Sequence, residues 1–277
     1  MNSVVSVTPL GATLAAMIED VDLSDLDDKT FAAIKQAFLK HLVLVFPNQI
    51  LEPAAQVSFT HRFGKVEPHP LRARPGVKEH PEVMILENRP GKPGARGDEW
   101  HSDITYAERP PALSVLYCLN APPDRGDTMF CNMYQAYETL SDGCRQLLDT
   151  LNTVHTAESL AQRNNEPGTD ALPILEIPPP VVHPVVRTHP ETKGRALFVN
   201  ESFTVNFENQ TREESAPLLN YLHCHSTRAE NAYRQRWSKG DVVMWDNRCA
   251  MHYAVHDYDE FTPRLMHRTT AAGERPY

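Results

Sequence analysis

Apolar positions recur along this chain with two periods. Between Ser24 and His41, the residues Phe31, Ile34 and Phe38 return every three or four positions, which places them on one face of a helix. Ser24 and the acidic residues after it suit the helix start. Pro53–Phe63, Ser141–Leu151 and Arg212–His225 read as further helices. Elsewhere apolar residues alternate with polar ones or run in short blocks closed by Gly and Pro, the pattern of strands. The expected strands are Leu42–Phe46, Glu82–Glu87, Ala112–Leu119, Thr128–Asn132, Thr153–Glu158, Val181–His189, Ala196–Asn200, Asp241–Asp246 and Arg264–Thr270. His189-Pro190-Glu191-Thr192-Lys193-Gly194 predicts a hairpin loop. Many short strands with a few flanking helices predict a mainly β chain of sandwich or jelly-roll type. No linker or repeat divides it, so a single domain over 1–277 is expected. Asn164–Pro180, rich in proline and polar residues, predicts a mobile loop or lid.

Charge narrows the partners. The formal net charge is −9, which disfavours nucleic acid and anionic membrane, so a bound anion needs a local arginine cluster. No apolar run approaches the roughly 18 residues of a membrane span. Met1–Leu10 lacks the basic and apolar parts of a signal peptide. The five cysteines (Cys118, Cys131, Cys144, Cys224 and Cys249) are scattered and form no Cys-x-x-Cys. Free thiols in a reducing cytoplasm are the expected state. A homo-oligomer acting on a small anionic organic molecule is the expected setting.

Candidate chemistry begins with histidine. His-x-Asp/Glu occurs three times, at His80-Pro81-Glu82, His101-Ser102-Asp103 and His189-Pro190-Glu191. About two such matches arise by chance, so spacing alone says little. A strand puts residues i and i+2 on one face, where both side chains reach one ion. Proline at the middle position predicts a turn and demotes the first and third pairs. His101-Ser102-Asp103 survives. Toward the C-terminus, Val242-Val243-Met244-Trp245-Asp246-Asn247-Arg248 leads to His252. Two imidazoles and one carboxylate on one face of a metal form the facial triad of non-haem Fe(II) oxygenases. Arg264 and Arg268 share a parity and therefore a strand face, where converging positive charges call for anionic ligands. Two exposed arginines in surface salt bridges are the plainer alternative.

These residues together resemble the taurine dioxygenase (TauD/TfdA) family of Fe(II)/2-oxoglutarate enzymes. The resemblance runs through Thr8-Pro9-Leu10-Gly11, Arg62-Phe63-Gly64, Trp100-His101-Ser102-Asp103, Gly126-Asp127-Thr128 and His183-Pro184-Val185-Val186-Arg187-Thr188-His189-Pro190. It continues in Leu197-Phe198-Val199-Asn200-Glu201, Trp245-Asp246-Asn247-Arg248, His252-Tyr253-Ala254 and Arg264-Leu265-Met266-His267-Arg268. It implies a double-stranded β-helix core. It implies His101, Asp103 and His252 as catalytic iron ligands, and Thr128 with Arg264 as the grip on the remote carboxylate of 2-oxoglutarate. It implies that Arg268 binds the acidic group of the primary substrate, that His69 contacts the substrate, and that Phe203 walls its pocket. The implied reaction is hydroxylation of a sulfonate such as taurine, or a relative, with O₂ consumed and succinate and CO₂ released. Two positions depart from taurine enzymes. Arg72 stands where they carry Tyr, and Arg96 or Gly97 where they carry Asn. Arg72 offers a second positive contact to the substrate. Aryloxyalkanoate or alkyl-sulfate oxidation is the nearest alternative. A zinc hydrolase and a non-catalytic ligand-binding barrel are remoter ones; no His-Glu-x-x-His supports the hydrolase.

Overall fold

The short apolar runs are strands of one sheet that is covered on both faces. The computed structural model describes residues 5–71, 74–88, 98–167, 171–259 and 261–277. Its strands are β1 (Ser6–Pro9), β2 (Ala16–Glu19), β3 (Val43–Phe46), β4 (Gly76–Val77), β5 (His80–Asn88), β6 (Leu113–Asn120), β7 (Thr128–Asn132) and β8 (Asn152–His155). They continue as β9 (Val181–Pro184), β10 (Val186–Thr188), β11 (Arg195–Leu197), β12 (Thr204–Phe207), β13 (Ala232–Gln235), β14 (Val242–Asp246), β15 (Ala250–Ala254) and β16 (Arg264–Ala271). The helices are α1 (Asp28–His41), α2 (Pro53–His61), α3 (Met133–Glu138), α4 (Asp142–Leu148), α5 (Glu158–Asn164) and α6 (Arg212–Ser226).

Eight strands form the large sheet in the order β1-β2-β3-β14-β6-β16-β5-β4. A three-stranded sheet, β13-β7-β15, faces it, which gives a jelly-roll core without a closed barrel. Strand parity explains the double covering. Val43, Val45, Leu116, Cys118, Val243 and Trp245 point toward Phe130, Cys131 and Met251 of the small sheet. The alternate residues Leu44, Phe46, Val115, Tyr117, Val242 and Met244 pack under Ile34, Phe38 and Phe59 of α1 and α2. Each such side chain contributes about 1.5–3 kcal/mol when fully buried. With both faces inside, these strands read as continuous apolar blocks rather than as alternating ones.

Element ends differ from the sequence expectation for local reasons. Helix α1 starts four residues later than Ser24, because the Ser24 N–H and hydroxyl are engaged by Asp22 Oδ1. Asp27 is the cap instead, accepting from Thr30 N–H at 2.6 Å. The expected strand Thr153–Glu158 stops at His155, and α5 begins at Glu158. The block Val181–His189 breaks into β9 and β10, and the loop after it does join the hairpin β10–β11. Pro81 lies inside β5 rather than in a turn. It sits at the strand's first residues, where a missing N–H is tolerated and the pairing with β4 is irregular. Strands β1, β2, β4, β12, β13 and β15 and helices α3 and α5 are additions to the pattern. Within the expected loop Asn164–Pro180, the described part is tied down by Asn165, which bonds both the N–H and the carbonyl of Ile174.

Candidate metal centre and its two cavities

The three predicted ligands meet at the mouth between the two sheets. His101 and His252 form an isolated antiparallel bridge, exchanging both backbone hydrogen bonds at 2.9 and 2.7 Å. This brings their rings to 4.1 Å between centroids. Asp103 follows two residues after this bridge. The chain turns directly after it, with Ile104 at φ 55°, a left-handed backbone uncommon for a β-branched residue. Three contacts hold the turn. Ser102 Oγ donates to the Ala250 carbonyl at 2.8 Å, Asp103 N–H donates to Asn247 Oδ1 at 3.3 Å, and Ser114 Oγ donates to Asp103 Oδ2 at 2.5 Å. Asn247 also donates to Ser114 and accepts from Trp245 Nε1. Ser114 and Asn247 are thus positioning residues that sequence reasoning passed over, though Asn247 lay inside the Trp-Asp-Asn-Arg run.

One ligand atom from each of His101, Asp103 and His252 lies within 4.8 Å of the other two. His252 Nε2 stands 3.9 Å from Asp103 Oδ1. His101 Nδ1–H donates to the Glu99 carbonyl at 2.7 Å, which leaves Nε2 as the free lone pair. Burial lowers the pKa of both imidazoles and keeps them neutral, as metal ligands must be. Burial pushes the Asp103 carboxyl up, but Arg268, His252, His101 and Ser114 together hold it well below the usual carboxylate range. This donor set fits a divalent ion with three open positions.

A second buried group with ligand-type atoms, His189, Asp246 and Cys249, does not fit one. His189 Nδ1 accepts from the N–H groups of Glu191 and Thr192, and Nε2 lies 3.1 Å from Asp246 Oδ2. Both Asp246 oxygens accept from Arg248. Burial raises the Cys249 thiol pKa, so it stays protonated. His80, the other demoted histidine, pairs loosely with Glu82 at 3.7 Å.

Two cavities flank the triad. The first, of about 170 Å³, has Thr128, Arg264, Leu116 and Trp245 on its walls. Thr128 Oγ1 accepts from Trp237 Nε1 at 3.0 Å, so its own proton is free for a ligand. Arg264 is half-buried, has no ion pair among the described residues, and its buried Nε finds no hydrogen-bond partner there. Burial pulls its pKa down from the guanidinium value. A half-buried guanidinium with an unpartnered Nε calls for an anion, and a carboxylate matches its fork.

The second cavity, of about 130 Å³, carries His69, Tyr106, Phe203, Leu160, Ile104 and Met84. Phe203 packs edge-on to Tyr106 at 5.0 Å and to His101 at 6.1 Å. Burial, with Arg268 and Arg74, lowers the His69 pKa to about 3, and burial pushes the Tyr106 hydroxyl up. Arg268 borders both cavities and donates to Asp103 Oδ1 at 2.8 Å, while its Nε has no partner among the described residues. The shared wall formed by Arg264 and Arg268 agrees with their equal parity on β16. Arg72, Arg96 and Gly97 lie outside the described residues.

A facial His-Asp-His set beside a half-buried guanidinium, on a jelly-roll core, defines the class of mononuclear non-haem iron oxygenases that use a 2-oxo acid. The model of the family described as "Taurine catabolism dioxygenase TauD, TfdA family" matches residues 6–270, and the chain belongs to this family. It is 35% identical to an alpha-ketoglutarate-dependent sulfate ester dioxygenase of Pseudomonas putida, over 98% of this chain and 90% of that one. It is also 35% identical to an alkylsulfatase of Acinetobacter baylyi, over 96% of this chain and 84% of the other. The crystal structure of a taurine dioxygenase from Burkholderia xenovorans superposes with a TM-score of 0.82 at 36% identity, covering 98% of this chain and 90% of that one. The protein is an Fe(II)-, 2-oxoglutarate- and O₂-dependent dioxygenase.

Proposed function

We propose that His101, Asp103 and His252 hold the ferrous ion, and that Thr128 and Arg264 grip the remote carboxylate of 2-oxoglutarate in the first cavity. The second cavity takes a small organic sulfur oxyanion, a sulfate ester or a sulfonate. The observation that carries this reading is the convergence of three ligand atoms within 4.8 Å beside the half-buried Arg264, whose Nε has no partner among the described residues. Arg268 receives the acidic group of the substrate through its unpartnered Nε edge while Nη1 keeps Asp103 in place. Phe203, Leu160, Ile104 and Met84 form an apolar wall suited to an alkyl chain. That wall, together with the departures at Arg72 and Gly97 and the relatives named for sulfate esters, favours an alkyl sulfate over taurine. Arg72 adds a positive contact in this reading.

Ferrous iron with 2-oxoglutarate and O₂ supplies, when bound, the oxidising power that turns a substrate C–H into C–OH as succinate and CO₂ form. The chain's own residues bind, orient and exclude water. Phe203 and Leu160 keep the reacting carbon dry, and Arg268 fixes the anionic head so that the adjacent carbon faces His101. Hydroxylation of the carbon that bears the sulfate oxygen gives a product that breaks to an aldehyde and sulfate. On a sulfonate the corresponding products are an aldehyde and sulfite.

The setting is a reducing compartment, supported by five free thiols, three of them buried. Among the described residues no helix is long and apolar enough to cross a membrane. A single catalytic domain is supported by the family match over 6–270. The direct test is succinate release with Fe(II), O₂ and a panel of alkyl sulfates, sulfonates and aryloxyacetates. Coupled release with a sulfur oxyanion supports the reading. Release only with aryloxyacetates would transfer the assignment to that class.

A further inference from the structure

The second cavity contains a hydrogen-bonded pair that the metal triad does not need. His69 Nδ1 lies 3.3 Å from the Leu71 backbone nitrogen, and His69 Nε2 lies 3.3 Å from the Tyr106 hydroxyl. A backbone N–H only donates, so Nδ1 is the acceptor and carries no proton. The ring proton therefore sits on Nε2, and Nε2–H donates to Tyr106 Oη. The tyrosine's own hydroxyl proton must then point away from His69. Tyr106 is 2% exposed and borders the cavity together with Arg268. Among the described residues its hydroxyl makes no other hydrogen bond. A buried O–H without an acceptor is unfavourable, and an anionic oxygen in the cavity relieves that.

The tyrosine is also held in place. Its ring packs with Phe203, Ile104 and Ala157 in one apolar cluster. The preceding Thr105 hydroxyl lies 3.0 Å from both His155 Nδ1 and Asn200 Nδ2, and Asn200 Oδ1 accepts from Phe203 N–H. Backbone, ring and rotor are thus fixed before any ligand arrives, as a preorganised donor requires.

The geometry points to Tyr106 as a specificity-determining residue whose O–H donates to the anionic head of the primary substrate beside Arg268. His69 is a positioning residue behind it rather than the direct contact that the family resemblance implies. This rests on the second cavity being the substrate cavity.

The test uses the full chain loaded anaerobically with Fe(II) and 2-oxoglutarate, and measures dissociation constants for hexyl sulfate, hexanesulfonate and hexanoate. Tyr106→Phe removes one oxygen and keeps the ring. It is expected to weaken the best of these anions by about ten- to a hundred-fold, the loss of a hydrogen bond to a charged group, while 2-oxoglutarate affinity and thermal midpoint stay at wild-type values. His69→Gln is expected to weaken binding in the wild type but to add less than about two-fold in the Tyr106→Phe background, because the two act as one unit. Anion binding by Tyr106→Phe within about two-fold of wild type overturns the proposal, as does an equal loss of 2-oxoglutarate affinity. Equal losses from His69→Gln in both backgrounds overturn the relay. A wild type that binds none of the three anions overturns the functional reading, and the proposal with it.

Discussion

The two cavities beside the metal triad are built from different material. The first is walled by sheet residues: Leu116 on β6, Thr128 on β7, Trp245 on β14, Ala254 on β15 and Arg264 on β16. Continuous ladders fix their register, from Val243 opposite Leu116 to Ala254 opposite Thr128. The second is walled largely by connecting segments: His69, the turn 103–106, Ser202 and Phe203, and the seven-residue helix α5. Under the proposed assignment the cosubstrate lies against ladders, which hold one geometry, and the substrate lies against loops, which change between relatives without disturbing the sheets.

Four perturbations break or sharpen this contrast. The largest effect belongs to the triad that the two cavities share. Asp103→Ala or His252→Ala should lower succinate formation at least about 10³-fold, because a two-ligand site no longer holds the ion at working concentrations. Turnover within about ten-fold of wild type would remove the triad from the reaction. Next, Arg264→Met should raise the KM for 2-oxoglutarate about 100-fold and leave the KM for the primary substrate unchanged at saturating cosubstrate. Phe203→Ala should do the reverse, raising the primary-substrate KM about ten-fold with the 2-oxoglutarate KM constant. Steady-state kinetics with both ligands varied reads both splits, and a mixed response in either variant would merge the two cavities into one.

The smallest effect concerns the scaffolding behind the substrate cavity. His183 Nε2 lies 3.0 and 3.1 Å from the carbonyls of Thr105 and Ala107, so it pins the turn that carries Tyr106. Burial lowers its pKa from 6.5 to about 4. Between these values the unfolded chain takes up a proton that the folded chain refuses, so acidification across this window removes stability. The loss from this one group is at most about 2 kcal/mol near pH 5. Urea unfolding at about pH 7.5 and about pH 5 should show a smaller drop for His183→Gln than for wild type. Equal drops would mean that His183 titrates normally in the fold.

Legibility in the sequence follows the same division. Blocks such as Val43-Leu44-Val45-Phe46 announce a sheet because both faces are buried, so the apolar signal is unbroken. Thr128 and Arg264 were named through the resemblance, and both sit on paired strands that line one cavity. His101 and Asp103 were paired through strand parity, and the structure adds what parity does not encode: the bridge from His101 to His252 and the left-handed turn at Ile104 after Asp103. Strand β15, which delivers His252, is five residues long and gave no periodic signal. Helix α5 has seven residues and no side-chain cap, too little pattern to separate it from the loop that follows. Tyr106 escaped notice because its meaning lies in a contact with His69 across 37 positions, which no local pattern encodes.

In the proposed site His101, Asp103 and His252 hold one ferrous ion with 2-oxoglutarate chelated beside Arg264. Anaerobic titration of Fe(II) into the chain with 2-oxoglutarate present, followed by visible absorption, tests it most directly. The expected result is a charge-transfer band of the chelated 2-oxo acid that saturates at one iron per chain and is lost in Asp103→Ala. A band that survives Asp103→Ala and His252→Ala undiminished would contradict it.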